Sequence, residues 1–130
     1  MIQIQDSVIS GELRSRLRDL GGDGDGFRCE VTFDGAFRGF EGHFEGNPVV
    51  PGVCLIELAR IHAEELLKCS LTTTEIGMCR FRRPILAGET ATCKLKVEPT
   101  EDELPRRRIR AEIRCGEALA CQLRMTVETL

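Results

Sequence analysis

Residues 42–57 read GHFEGNPVVPGVCLIE and lead from a loop into a helix. Two prolines and three glycines fall within the first eleven of these positions, and neither a helix nor a sheet ladder continues through such a run. Positions 53–56 are all apolar, so the first turn of the helix that follows is apolar on every side. A helix of this kind is buried by its neighbours. The pattern predicts a buried helix from Pro51-Gly52 to about Lys68.

The start of this helix is a candidate anion site. Its first backbone N–H groups have no partner inside the helix, and the positive end of the helix dipole lies behind them. His43 stands just upstream, and Glu57 stands one turn inside the helix. A titratable base and a carboxyl group therefore flank donors that can stabilise a developing oxyanion.

The whole chain has the composition of a globular protein. It has 130 residues and a net charge of −3, which gives no electrostatic reason to expect nucleic acid or an anionic membrane as its partner. No run approaches the ~18 apolar residues of a membrane span, and the first residues do not resemble a signal peptide. We therefore expect one domain over residues 1–130, located in the cytoplasm.

Seven cysteines are present, an odd number, and no two of them form a Cys-x-x-Cys pair. Each lies singly within an apolar or alternating run, which favours small buried thiols in a reducing compartment over disulfides, zinc ligands or redox centres. No metal or cofactor is predicted. His62, with Glu64 and Glu65 beside it, is expected at the surface.

Most of the remaining chain predicts an antiparallel sheet. Alternating or apolar segments bounded by turn residues indicate strands over 27–33, 76–81, 90–98, 108–115 and 119–127. Pro99 to Pro105 is expected to be a polar hairpin loop, and residues 1–9 an edge strand or a frayed end. A brief helix begins at Ser10 or Gly11, and the glycine-rich residues 21–26 end it as a flexible turn. The fold class is α+β, with one long helix wrapped by an antiparallel sheet.

Several residues of the loop and helix occur in a recognisable order: His43-Phe44-x-Gly46-x-Pro48-x-x-Pro51-Gly52-Val53, with Glu57 fourteen positions after the histidine. This motif resembles the β-hydroxyacyl-acyl-carrier-protein dehydratases of fatty-acid synthesis (FabA/FabZ-like). A second block, residues 76–89, is similar to the strand that follows the central helix in that family.

The resemblance implies the hotdog fold and an obligate dimer, or a trimer of dimers, with active sites at the subunit interface. It implies His43 as the catalytic base and Glu57 of the other subunit as the catalytic acid. The backbone N–H of Gly52 would hold the thioester carbonyl, and Phe44 would line the acyl site. The implied partner is an acyl carrier protein with a phosphopantetheine-linked chain, or acyl-CoA, and no cofactor is implied.

These residue types suit the reaction. Removing water from a 3-hydroxyacyl thioester needs a base for the C2 proton, and histidine titrates near neutrality. It also needs a proton donor for the departing hydroxyl, and a carboxyl group in an apolar site can stay protonated for this role. A helix N-terminus stabilises the enolate-like oxygen without a metal.

Other interpretations stay open from the sequence. Arg60 lies one turn from Glu57 and can pair with it, which would hold the carboxylate ionised; Glu57 could otherwise be solvated. An acyl-thioester hydrolase is the second function, and a non-catalytic acyl-binding or partner subunit is the third. Arg80, Arg82 and Arg83, together with residues 106–108, form either a basic rim for the carrier's phosphopantetheine arm or ordinary solvated faces.

Overall fold

The structure is a computed structural model that describes residues 8–41, 48–98 and 106–130. In chain order, the elements of these residues are α1 (Val8–Arg16), β1 (Arg18–Asp23), β2 (Gly26–Thr32), a 3-10 turn (Arg38–Phe40), α2 (Gly52–Leu67), β3 (Leu71–Phe81), β4 (Thr90–Glu98), β5 (Arg106–Cys115) and β6 (Ala118–Thr129). The predicted amino-terminal piece, the polar loop after β4, His43 and Phe44 lie outside the described residues.

The six strands form one sheet in the order β1-β2-β4-β5-β6-β3, and every neighbouring pair is antiparallel. Strands β4, β5 and β6 are a meander, as the alternating segments predict. The chain leaves the sheet after β2, runs through α2, and returns at the opposite edge as β3. This is the α+β hotdog arrangement, and the predicted fold class is confirmed.

Helix α2 is buried on all sides along its middle, as its apolar first turn predicts. Its residues 54, 55 and 57–64 are buried, and the side chains of Leu58 and Ile61 are fully so. The inward positions of β4 and β5 face the helix, while α1 contacts it as well. The helix ends at Leu67, close to the predicted Lys68, which caps it in the left-handed conformation.

The prediction for residues 17–26 is wrong. Helix α1 ends at Arg16, and the chain then forms strand β1, which pairs with β2 through a tight turn at residues 24–25. Every residue of β1 is exposed, so the strand has no alternation of apolar and polar residues by which the sequence could reveal it. The register shifts between Asp19 and Gly21, where the positive φ of 80° requires a residue without a side chain.

Strand β3 is longer than predicted. The prediction missed its first half, because that half also lacks an alternation of apolar and polar residues. The strand begins at Leu71, five residues before the predicted start, and its middle residues are exposed. Because β3 is an edge of the sheet in this protomer, its outer backbone groups have no neighbouring strand among the described residues. Ile76 and Phe81 are exposed apolar side chains on this edge strand.

All seven cysteines are free thiols in the structure, and four of them are buried: Cys29, Cys54, Cys93 and Cys121. No helix of the described residues is both long enough and apolar enough to cross a membrane.

Lys68 offers a direct test of the end of α2. Its φ of 58° places a side chain in the left-handed region, which costs roughly 1–2 kcal/mol for a residue with a Cβ atom. We expect Lys68→Gly to raise the free energy of unfolding by about 0.5–1 kcal/mol, because glycine removes that cost but gains chain entropy when unfolded. Urea denaturation measures the change. Lys68→Ala keeps the Cβ atom and serves as the control, and equal stability of the two variants would contradict the assigned cap.

Candidate functional site

The start of α2 lies at a cavity, which Gly52 helps to line. Gly52 is the first helical residue, and Pro51 precedes it without a side-chain cap. The Gly52 N–H therefore has no acceptor within the helix. A Cβ atom at position 52 would lie 2.6 Å from Cζ of Phe81, so glycine is the residue that fits without displacing that ring. Because residue 52 is glycine, it has no side chain that could cover the first N–H of the helix.

The cavity beside Gly52 has a volume of about 390 Å³. Its apolar walls include Val49, Leu55 and Phe81, and Arg82 and Arg83 also line it. The backbone fixes its shape, because Val50 N–H donates to the Ile85 carbonyl over 2.8 Å. The cavity combines an apolar surface, a helix N-terminus and cationic side chains, which suits an acyl chain with a polar head.

The two arginines of this cavity differ in their partners. Arg83 binds both carboxylate oxygens of Glu89 at 2.9 and 3.1 Å. This contact, with the N–H of Leu86, holds the pKa of Glu89 below its ordinary value. Arg82 instead donates to the neutral amide oxygen of Gln122 at 3.0 and 3.3 Å. The charge of Arg83 is therefore balanced, whereas Arg82 has no carboxylate partner shown among the described residues.

The six arginines considered for a basic rim do not lie together. Phe81, next to Arg82, pairs with Cys121 of β6, whereas Arg106 pairs across β5–β6 with Glu128. Seven residues of strand separate these two positions, which is about 23 Å. The interpretation of one rim formed by both clusters is wrong, and only the cluster at residues 80–83 adjoins the cavity.

Glu57 is buried and bound. Its side chain is 4% exposed, and its Oε1 accepts hydrogen bonds from Ser10 Oγ at 3.1 Å and from Arg60 Nε at 2.9 Å. A second guanidinium nitrogen of Arg60 also contacts Oε1. The pairing with Arg60 that the sequence left open is therefore observed, and the solvated interpretation is wrong. Glu57 does not line the cavity beside Gly52.

Arg60 connects Glu57 to a larger buried network. Its Nη1 donates to Glu64 at 2.8 Å and to the Leu71 carbonyl at 3.0 Å. Glu64 accepts the Leu71 N–H at 2.7 Å and also pairs with Arg14 of α1. The network thus joins α1, α2 and the first residue of β3. Each carboxylate in it has a cationic partner, as buried charges require.

His62 is not at the surface, contrary to the prediction. Its side chain is buried, and its nearest neighbours include Cys29 and Cys93 on the sheet. The helical spacing could have predicted this burial. Positions 55, 58 and 62 are three and four residues apart, so His62 lies on the same helix face as the apolar residues Leu55 and Leu58. The acidic residues beside His62 concealed this position.

The chain is similar in sequence to dehydratases. A family model described as ApeI dehydratase, ApeI-like, matches residues 21–116. The FabZ 3-hydroxyacyl-[acyl-carrier-protein] dehydratase of Oenococcus oeni is 35% identical over 81 residues, which are 57% of this chain and 57% of that protein. The FabZ enzyme of Ehrlichia chaffeensis is 32% identical over 75 residues, which are 52% of this chain and 49% of that protein. The chain thus spans about half the length of these relatives.

Solved structures share the fold. The dehydratase heterocomplex ApeI:P from Xenorhabdus doucetiae superposes with a TM-score of 0.70 at 19% identity, over 86% of this chain and 97% of that chain. The PaaI protein of E. coli, from the phenylacetic acid degradation operon, superposes with a TM-score of 0.67 at 16% identity, over 95% of this chain and 89% of that chain.

The buried network predicts a large cost for losing Arg60. We expect Arg60→Met to lower the free energy of unfolding by about 3–5 kcal/mol, because the buried Glu57 would lose its cationic partner and Glu64 one of its two. The exposed pair Arg38–Glu41 supplies the matched control, and Arg38→Met should change the stability little, because solvent screens an exposed ion pair. Urea denaturation of both variants measures the difference. Similar small losses for the two would contradict the proposed importance of the buried pair.

Proposed function

This chain belongs to the ApeI-like dehydratase family, and we propose that it removes water from a 3-hydroxyacyl thioester to give the trans-2-enoyl thioester. The observation that carries the proposal is the uncapped start of α2 at Gly52, which opens on an apolar cavity. An acyl chain fits such walls, and the helix N-terminus supplies a donor for the thioester oxygen. Fatty-acid or related lipid biosynthesis is the proposed pathway class.

In the proposed reaction His43 takes the C2 proton while the thioester carbonyl accepts a hydrogen bond from the Gly52 N–H. The electrons of the C–H bond pass into an enolate whose oxygen lies at the positive end of α2. They return to form the C2–C3 double bond as the C3 hydroxyl leaves. The leaving oxygen takes a proton from an acid, so water and the enoyl thioester are the products. Phe44 is proposed to contact the acyl chain.

Glu57 of a second subunit is the proposed acid. Within one protomer it is bound by Arg60 and Ser10 and is absent from the cavity lining. Glu57 can therefore donate a proton only if the Arg60 contact opens, or if Glu57 becomes protonated while Arg60 remains bound to it. The active enzyme is proposed to be a homodimer that brings His43 of one subunit to Glu57 of the other.

The edge strand supports association. In the described residues β3 has one free edge, and Ile76 and Phe81 on it are exposed apolar side chains. Val53 at the start of α2 is 57% exposed. An unpaired edge with apolar side chains is suited to pairing with a second copy of the same strand about a two-fold axis.

The observed Arg60–Glu57 pair also favours a second candidate: a subunit that binds acyl thioesters and relies on another chain for the acid. A carboxylate that accepts two guanidinium donors is poorly prepared to give up a proton. One structural neighbour is titled a dehydratase heterocomplex, ApeI:P. In this candidate the chain supplies the oxyanion donor, and the partner completes the site.

Complementing mutants test the proposal. The purified protein is given a 3-hydroxyacyl thioester, and absorbance of the conjugated enoyl product is followed. A positioned acid or base contributes roughly 10²–10⁴ in rate, so His43→Ala and Glu57→Gln should each lose at least about 100-fold. If the two residues act across the interface, mixing the inactive variants should restore about a quarter of the parent rate, because half the dimers are mixed and each has one intact site.

The controls separate the alternatives. Urea denaturation must show that Glu57→Gln remains folded, since its partner Arg60 is buried. A near-normal rate for Glu57→Gln, or no recovery after subunit exchange, contradicts the shared site. Thioester cleavage without enoyl product would favour a hydrolase. No reaction by the parent, together with its sedimentation as a monomer, would favour the subunit that needs a different chain.

Arg82 is proposed to bind the phosphate of a phosphopantetheine arm on an acyl carrier protein. We expect Arg82→Glu to raise KM for the carrier-bound substrate by about 10-fold, because it reverses an unbalanced charge beside the cavity. An N-acetylcysteamine thioester lacks the phosphate and should show little change. Arg107→Glu makes the same charge change at the far end of the sheet and is the control. Equal effects of both variants, or equal effects on both substrates, would contradict the assignment.

A further inference from the structure

The core contains a cluster of three metal-ligating side chains apart from the proposed catalytic cavity. Cys29 of β2 and Cys93 of β4 are directly opposite each other in the sheet. His62 of α2 lies above them, and all three residues are buried. The two Sγ atoms and an imidazole nitrogen lie within 4.8 Å of one another. His62 is ten residues from Gly52, about 15 Å along the helix.

The histidine of this cluster is incompletely bonded. Its Nδ1 is buried and has no hydrogen-bond partner within the part of the chain that the structure describes. The side chain is 97% buried, since only 3% of the residue is exposed. A buried polar atom without a partner costs free energy, so such atoms are usually paired with protein, water or an ion. The unsatisfied nitrogen therefore points independently to a missing ligand.

We propose that Cys29, Cys93 and His62 bind one Zn²⁺ ion, with water as the fourth ligand. Two thiolates and an imidazole are a common ligand set for zinc, and soft ligands select it over magnesium or calcium. Two thiolates also cancel the 2+ charge of the ion, so the buried site is neutral overall. Tetrahedral zinc would place the two sulfurs about 3.8 Å apart, which the observed spacing allows with small movements.

The protonation of the cysteines agrees with this geometry. The facing Cys93 thiol, and then the nearby imidazole, lower the pKa of the Cys29 thiol to about 6. The pKa of the Cys93 thiol is shifted in the opposite direction, chiefly because of its hydrogen bond to Cys29 and its burial. Zinc coordinates thiolates, so its binding to this pair releases the thiol protons.

A cavity adjoins the histidine of the cluster. His62 lines this cavity of about 400 Å³ together with Asp19, Glu65, Arg14 and Lys68, whereas neither cysteine lines it. Asp19 is the residue directly opposite Cys29 on β1, so Asp19, Cys29 and Cys93 form a row across three strands on one face. The two carboxylates of this lining are matched by two cations, one of which, Arg14, pairs with Glu65, so the cavity offers space for a water ligand beside the imidazole without a net attraction for cations. The bound ion would tie α2 to β2 and β4.

Zinc titration of the chelator-treated, reduced protein tests the proposal. A chromogenic chelator that competes for Zn²⁺ measures stoichiometry and affinity. We expect one equivalent per chain and an upward shift in Tm with added zinc, because the ion binds only the folded form. Loss of a first ligand should cost more than the 10–100-fold known for supporting residues, so Cys29→Ser and Cys93→Ser should weaken affinity at least about 100-fold. His62→Gln also removes a direct ligand and should weaken affinity at least about 100-fold.

Cys121→Ser is the matched control. Cys121 is equally buried on β6, but burial raises the pKa of its thiol to about 12, and it is not part of the cluster. This variant should bind zinc as the parent does. Each variant is checked by circular dichroism, and His62→Gln, which removes no core thiol, keeps the test valid if a serine variant unfolds. Absence of stoichiometric binding, equal binding by all variants, or a Cys29–Cys93 disulfide in the parent as purified without reductant would overturn the proposal.

Discussion

The arrangement of α2 depends on the buried ion pairs that the guanidinium group of Arg60 forms. Arg60 is 2% exposed and binds Glu57, Glu64 and the first residue of β3. A helix surrounded by the sheet and α1 has no solvent face along its middle, so its charged residues must satisfy one another. Arg60 does this for two carboxylates at once. The same contacts hold α1 over the helix through Ser10 and through the Arg14–Glu64 pair.

The sequence predicts the elements that have one face buried in the core and the other exposed to solvent. Strand β4 was predicted with its observed bounds, because every second residue is apolar and faces α2. Helix α2 was predicted from the opposite signal, an apolar turn without a polar face. Strand β1 and the first half of β3 were missed because their exposed residues carry no alternation. Their pairing depends on neighbouring strands distant in the sequence, which a local pattern does not contain.

The candidate site was predictable to the same degree. The glycine and prolines at the start of α2 identify a loop-to-helix junction, and the structure adds the reason for Gly52, the ring of Phe81 at its back. The pairing of Arg60 with Glu57 follows from helical spacing, but its complete burial does not, because charged residues are normally exposed. The same expectation placed His62 at the surface. In both cases the burial of α2 on all sides overrides the usual preference of arginine and histidine for exposed positions.

Helix α2 therefore carries three separate kinds of polar chemistry along one axis. Its first residue, Gly52, lines the apolar cavity, one face carries the closed network of Glu57, Arg60 and Glu64, and His62 on another face lies near the two thiols of the sheet. The network is electrically balanced, whereas Nδ1 of His62 has no hydrogen-bond partner among the described residues, and the first N–H groups of a helix have none inside the helix. A ligand stabilises a protein most where hydrogen-bonding capacity is buried and unfilled. The helix start and the face that carries His62 are thus suited to bind, and the face with Glu57, Arg60 and Glu64 to hold the fold together.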